Sequence, residues 1–375
     1  MAAWLLVAAL ALSPAPDLPA VPDVPPPAPA QILHVPEPLR AQFRQWNGPD
    51  PHPAEARLER LVAFLFDSER GLGLQYQYDA NHTVAEVYAT RRANCLSFSL
   101  MAIALAREAG LEAYGQEIKD VLTWFQDGNT VYRNNHVNAG FRIGHERFSA
   151  DVASDEVIAR QEPRRIDDAH LLALFYNNRA VALLAQGKRA AAHAYLQQAL
   201  ALSDAYAPFW NNAGVLAYRD GQSTVAEHAY RRALDLDPEH SAAMFNLVTL
   251  YKRGGRVAEA APLERRLERL RQRDPFDQFL LALERERAGD YDGAVRHYRR
   301  AIRLFGSEHR FHEGLARAYL HRGDARRAGR ELERARQLSQ GLDQARYQAK
   351  IDRLRNRDAD HRNLFGPDPS RAPTR

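Results

Sequence analysis

From residue 173 onward, apolar and small residues recur with a period of 34. Gly187, Gly221, Gly255, Gly289 and Gly323 keep that spacing, and so do Ala192, Ala226, Ala260, Ala294 and Ala328. Seven positions after each of those alanines stand Ala199, Ala233, Leu267, Ala301 and Ala335. The pattern predicts five copies of a pair of amphipathic helices over 173–342. The glycine falls where the first helix ends and a left-handed backbone is cheap only for glycine. The alanine falls where the second helix crosses closest to the first. A single pair cannot bury its apolar faces, so neighbours must stack. Residues 343–357 read as one more helix, polar on most faces, that caps the stack. Residues 358–375, with Pro367, Pro369 and Pro373, read as a disordered tail.

The copy over 207–240 holds Trp210, Asn212, Gly214, Tyr218, Gly221, Ala226, Tyr230, Ala233 and Pro238. These residues at these spacings resemble the tetratricopeptide repeat family. The resemblance implies an all-α superhelix whose first helices line a groove for a protein or an extended peptide. Asn178, Asn212 and Asn246 occupy equivalent positions on those first helices, and Leu280 and Gly314 replace them in the last two copies. The resemblance makes the three asparagines candidates to hold a peptide backbone; helix packing is the alternative.

The front half is not repetitive. Residues 54–66 carry apolar positions at helical spacing. Thr83 and Glu86 form a capping box that opens a short helix ending near Arg91. Asn94 is a good N-cap for the next helix and Gly110 a good stop. Between them lies an almost wholly apolar segment, which predicts a centrally buried helix with Cys95 in its first turn. The positive end of the helix dipole favours a thiolate there. Residues 111–118 read as a strand, followed by a loop around 127–129.

Apolar residues then alternate in 136–143 and again in 147–153. A Gly144-His145 hairpin turn pairs Phe141 with Phe148, Ala139 with Ala150 and Val137 with Val152. The opposite face receives His136 and Asn138, with Asp151 as the diagonal neighbour of His136. Cys95, His136 and Asp151 in this order form the constellation that thiol catalysis needs. His82 and His145 compete with His136, and Asp155 with Asp151. Asn94, by side chain or backbone amide, is a candidate for holding an oxyanion.

Thr83, Glu86, Cys95, the segment 106–113, His136 and Asp151 together resemble the transglutaminase-like, papain-type superfamily over 81–154. The resemblance implies an α+β papain/transglutaminase-like domain, set at 40–165, with Cys95, His136 and Asp151 as its catalytic residues. Three places depart from the family pattern. Ala93-Asn94 stands where glycine is common, and Asn138 and Ser149-Ala150 stand where tryptophans are common.

The apolar run over 2–13 is too short to span a bilayer. It fits a signal peptide over 1–15 and thus a periplasmic or secreted protein, although no Lys or Arg precedes it. The Pro-rich segment 16–39 reads as an extended, semi-rigid linker. No transmembrane segment is expected after signal removal. The net charge of +4 over 375 residues comes from 51 basic against 47 acidic residues. Such an interspersed balance predicts no nucleic-acid partner. One cysteine excludes an intrachain disulfide and a multi-cysteine zinc cluster. No phosphate loop, dinucleotide fingerprint or metal-binding helix motif is present, so no cofactor and no metal are expected. The pattern points to an exported thiol-dependent acyl-transfer or peptidase-like protein with a repeat scaffold. The alternatives are a catalytically inactive binding protein of the same fold and an intracellular assembly scaffold.

Overall fold

The computed structural model describes residues 25–48, 51–124, 131–152, 157–158, 162–339, 343–352 and 354. Of 120, 122–124, 131–134 and 157–158 it describes the backbone only. The expected signal peptide, the loop at 127–129, Asp155 and the tail at 358–375 lie outside these residues. They form two compact units, one ending at Leu267 and the other beginning at Glu268.

The first unit opens with α1 (Pro29–Ile32), α2 (Glu37–Asn47) and α3 (Ala54–Phe66). Then come β1 (Gln75–Tyr76), α4 (Val84–Thr90), β2 (Arg92–Ala93) and α5 (Cys95–Glu108). The strands β3 (Glu112–Trp124), β4 (Val131–Ile143), β5 (Glu146–Ala150), β6 (Val157–Ile158) and β7 (Arg164–Ile166) follow. They form an antiparallel sheet in the order β5-β4-β3-β6, with β7 also paired to β3. The helix pairs follow as α6 (Asp168–Ala185) with α7 (Arg189–Leu202), and α8 (Ala207–Arg219) with α9 (Ser223–Leu236). A third pair is α10 (Ser241–Arg253) with α11 (Val257–Arg273), and the boundary between the units falls within α11. The second unit holds α12 (Pro275–Arg287) with α13 (Tyr291–Leu304), α14 (His309–His321) with α15 (Ala325–Leu338), and the helical residues 343–352.

The core is centred on α5. Leu96, Phe98, Leu100, Met101, Ile103 and Leu105 are buried on every side of this helix. Each side chain of this kind contributes about 1.5–3 kcal/mol on burial, so α5 is a firm platform for its first residue. Val137, Ala139 and Phe141 of β4 face the same core. The β4–β5 register pairs Ala139 with Ala150 and Phe141 with Phe148, as the alternation predicts. Gly144 has the positive φ that the turn needs. The expected Val137–Val152 pair is absent from the ladder, which stops at Ala139–Ala150. The start of α5 takes that stretch of the strand instead.

Residues 29–39, expected in an extended linker, are folded. They carry α1 and the start of α2, and Ile32, Val35 and Leu39 are buried in the same core. Tyr176 on α6 donates its hydroxyl to the Pro27 carbonyl at 2.6 Å. Pro38 sits in the first turn of α2, where its missing N–H costs nothing.

The period of 34 has the predicted cause. The five spaced glycines all have φ between +73° and +77°. The five spaced alanines are at most 1% exposed. The first pair is not separate from the α+β part. α6 begins at Asp168 rather than near 173, and its Leu171, Phe175 and Tyr176 share the core with α5.

Helices cross so closely at Gly214 that an added Cβ would lie 2.4 Å from the Tyr230 ring. Gly214→Ala is expected to lower the urea midpoint of unfolding. Overpacking costs about 1–3 kcal/mol, against about 1 kcal/mol gained in helix propensity. An unchanged or raised midpoint would contradict the close approach.

Candidate active site

Cys95 is the first residue of α5. Asn94 caps the helix by accepting from the Ser97 amide at 2.8 Å. The loop before it is fixed by the parallel β1–β2 pairing and by the Ala80 carbonyl. That carbonyl accepts from the Asn94 amide at 3.1 Å and from the Ser97 hydroxyl at 2.9 Å. The Thr83–Glu86 capping box forms in both directions, at 3.3 and 2.7 Å.

Beyond the last β4–β5 pair, the Val137 backbone faces α5. Its carbonyl accepts from the Ser99 hydroxyl at 3.3 Å, and its N–H helps to lower the Cys95 thiol. His136 stands next to Val137. Its Nε2 lies 2.6 Å from Asp151 Oδ2, and its ring is close enough to the Cys95 thiol for each group to shift the titration of the other. With Nε2 engaged by Asp151, Nδ1 is the nitrogen left for the sulfur. The imidazole is almost fully buried, Asp151 is 15% exposed at its side chain, and Cys95 is half-buried.

Burial alone would strip His136 of its proton. The negative charge on Cys95 and the bond to Asp151 overcome this and push the imidazole up to about 10. Burial likewise pushes the Cys95 thiol up. The charge and hydrogen bond of His136, with the Val137 amide, outweigh burial and the opposing Asp151, so the thiol is held below its ordinary value. Each shift depends on the charge of the other group, so the two belong to the pair rather than to either residue.

The structure thus brings Cys95, His136 and Asp151 together. It does not bring the competing histidines there. His82 Nδ1 lies 3.2 Å from the Thr90 hydroxyl and the Arg92 carbonyl, and His145 is exposed in the hairpin turn. Asn94 spends its carbonyl oxygen on the helix cap. Asn138 is buried on the His136 face with its Oδ1 unpartnered. Sequence reasoning missed the Val137 amide and Ser99, because backbone donors leave no residue signature. Two surface cavities lie elsewhere, around Arg40 and Glu108 near the other end of α5. No group of three or more His, Cys, Asp and Glu side chains among the described residues is placed to hold a metal ion. No described helix is long and apolar enough to cross a membrane.

The three repeat asparagines lie along one hydrogen-bonded line. Asn212 donates to Asn177 Oδ1 at 2.8 Å, and Asn246 donates to Asn211 Oδ1 at 2.9 Å. Asn177 and Asn211 donate in turn to Asn178 and Asn212 at 3.3 and 3.4 Å. Asn178 is exposed, whereas Asn212 and Asn246 are half-buried.

Residues 211–277 and 279–342 match the tetratricopeptide repeat family. This part of the chain carries tetratricopeptide repeats, a scaffold for protein–protein interaction. Among solved structures, the chain is similar to YrrB, described as a TPR protein with an unusual peptide-binding site. Identity there is 19%, over 48% of this chain and 92% of that one, at a TM-score of 0.26. It is similar to MamA from Desulfovibrio magneticus RS-1 at 18% identity, over 44% and 94% of the two chains, with a TM-score of 0.26. It is also similar to the Cut9–Hcn1 hetero-tetramer of the APC/C at 18% identity, over 50% and 37%, with a TM-score of 0.28. No curated protein matches the chain.

The pH dependence has a definite sign. His136, raised above its unfolded value, contributes stability that is full below about 6.5 and is lost as pH rises through about 10. Cys95, lowered, contributes stability above the unfolded thiol value that is lost as pH falls through its depressed folded value. Ultraviolet thiolate absorbance should therefore titrate below the ordinary thiol range. In His136→Ala it should titrate above that range, because burial remains and the compensating cation is gone. In Asp151→Asn the imidazolium should be lost below pH 10. Identical titrations in all three proteins would contradict the pairing.

Proposed function

We propose that the protein is a thiol-dependent acyl-transfer or peptidase-like enzyme. It acts on an amide or ester of a protein or peptide, and its repeats engage a protein partner. One observation carries this reading: a single buried imidazole that lies 2.6 Å from the Asp151 carboxylate and interacts electrostatically with the Cys95 thiol. The arrangement supports the transglutaminase-like, papain-type reading of 40–165 that the sequence suggested.

In the proposed reaction the Cys95 thiolate attacks the substrate carbonyl carbon. The developing oxyanion is assigned to first-turn amides of α5, which point along a helix axis toward its N-terminal end. Asn94 would serve by holding that turn in place. As the C–N or C–O bond breaks, the His136 imidazolium gives its proton to the leaving amine or alkoxide. A thioester on Cys95 remains. Water or an amine then attacks it, His136 takes the proton, and the thiolate is released. Asp151 keeps the ring in place and supports the cation throughout. The repeats would bring a protein or peptide, with Asn178 the most accessible of the three asparagines. We further propose export to the periplasm or outside the cell, which predicts a mature N-terminus near residues 13–15; an intact Met1 in mass spectrometry would count against it.

At pH 6 an ordinary thiol is less than about 1% ionised. Cys95 should react with iodoacetamide at least about tenfold faster than a free thiol there, after allowing for the lower nucleophilicity of an acidic thiol. His136→Ala should remove the advantage, and an activated peptide ester should leave an acyl group on Cys95 seen by mass spectrometry. A slow Cys95 that never acylates would leave only a binding protein of this fold.

A further inference from the structure

We propose that Arg179 and Tyr206, both carried by the first repeat's helix pair and the turn that follows it, are positioning residues for the Cys95–His136 pair. The inference rests on reading Cys95 as the reactive thiol. It goes further in making the first repeat part of the site's machinery rather than an appended recruiter.

Arg179 of α6 grips the cysteine side. Its Nη1 donates to the Asn81 carbonyl at 2.8 Å and its Nη2 to Glu86 Oε1 at 2.7 Å. Asn81 returns the contact by donating to the Phe175 carbonyl at 3.0 Å. Only 11% of the Arg179 side chain is exposed, against 41% of Glu86, so the guanidinium is held inside while its carboxylate partner meets water. Asn81 directly follows Ala80, whose carbonyl anchors both Asn94 and Ser97. One residue after Asn94 comes Cys95. The loop that sets the sulfur is therefore clamped from α6.

Tyr206 grips the histidine side. It lies in the turn between α7 and α8, and it is buried. Its hydroxyl donates to the buried Glu117 carboxylate on β3 and accepts from the Asn135 amide. Asn135 also donates to Glu117 Oε1 at 2.9 Å. His170 of α6 completes the group. Its ring meets the Tyr206 ring edge-on at 4.6 Å, and its Nε2 lies 3.7 Å from Glu117 Oε2. Lys119 sits over the Tyr206 ring at 5.3 Å. Burial pushes the Glu117 carboxyl up, but the bonds from His170 and Tyr206 more than offset it and hold it below the usual carboxylate range.

The consequence for His136 follows from strand geometry. Successive side chains point to opposite faces of a strand. Fixing Asn135 on the face toward the repeats fixes the aim of His136 on the other. The β3–β4 register shifts between Ile118 and Val121, opposite Asn134 to His136. A bulge loosens the regular ladder at that point. The Glu117–Tyr206–Asn135 group supplies the restraint that the ladder there lacks.

The test uses the full-length protein and follows the rate of Cys95 alkylation by iodoacetamide from pH 5 to pH 10, with circular dichroism to confirm folding. Tyr206→Phe keeps the ring contacts and drops the hydroxyl; Arg179→Gln removes the clamp on the other side. Each should lose about threefold to tenfold of the rate at pH 6 and keep the rate at pH 10, where any thiol is ionised. Arg179→Lys, which can still reach one partner, should recover part of the loss. A merely structural role would lower the melting temperature and leave the shape of the profile unchanged, and that result would overturn the proposal. If wild type itself lacks reactivity at pH 6, the Cys95–His136 reading falls and this inference with it. Wild-type reactivity retained by folded Tyr206→Phe and Arg179→Gln overturns the positioning role alone.

Discussion

Water is the preferred surrounding for a charged imidazole, and at 3% exposure His136 has almost none. Desolvation would leave it neutral. What keeps its proton is a sulfur on one side and a carboxylate 2.6 Å away on the other. Burying such a pair costs several kcal/mol per ion, and its mutual attraction repays this only with good geometry. Stability alone gives little reason to build it, since packed apolar side chains would serve as well. In the proposed reaction the arrangement would serve chemistry, and the surrounding structure keeps three groups from three elements in register.

That geometry is held from several directions. α5 is buried on all sides, so its N-terminal residue has little room to drift. Its first turns are capped by Asn94 and bonded to the β4 backbone through Ser99. The core around α5 continues without a break into α6, α7 and α8, through Leu171, Phe175, Leu196 and Phe209. The segment at 29–39 closes over the same core. The first repeats are thus built into the α+β part. A partner that displaced α6 or the α7–α8 turn would disturb the site through packed side chains rather than through a linker.

Much of this was legible in the sequence where one residue type satisfies one local demand. The period of 34 shows because a left-handed turn selects glycine and a close helix crossing selects alanine, copy after copy. The β4–β5 register shows because alternation and Gly144 leave one pairing that buries Phe141, Phe148, Ala139 and Ala150 together. Cys95 and His136 follow from a helix cap and a strand face. The folded state of 29–39 did not show, because prolines dominate the composition and hide three isolated anchors, Ile32, Val35 and Leu39. Arg179, Glu117 and Tyr206 did not show either. Their contacts join residues 98, 89 and 71 positions apart, and no local pattern encodes partners so distant.

The asparagine line in the repeats has a similar logic. Asn177 and Asn211 are buried, and each accepts from the asparagine 35 positions later. A buried amide left unpaired costs about 1–3 kcal/mol, so the stack gains a definite register from these bonds. A peptide could still meet the second N–H or the carbonyl oxygen of Asn246, because the line uses only one of its donors. Selectivity for a partner in this face would then come from the side chains that flank the line, such as the exposed Val181, while the asparagines keep the helices aligned.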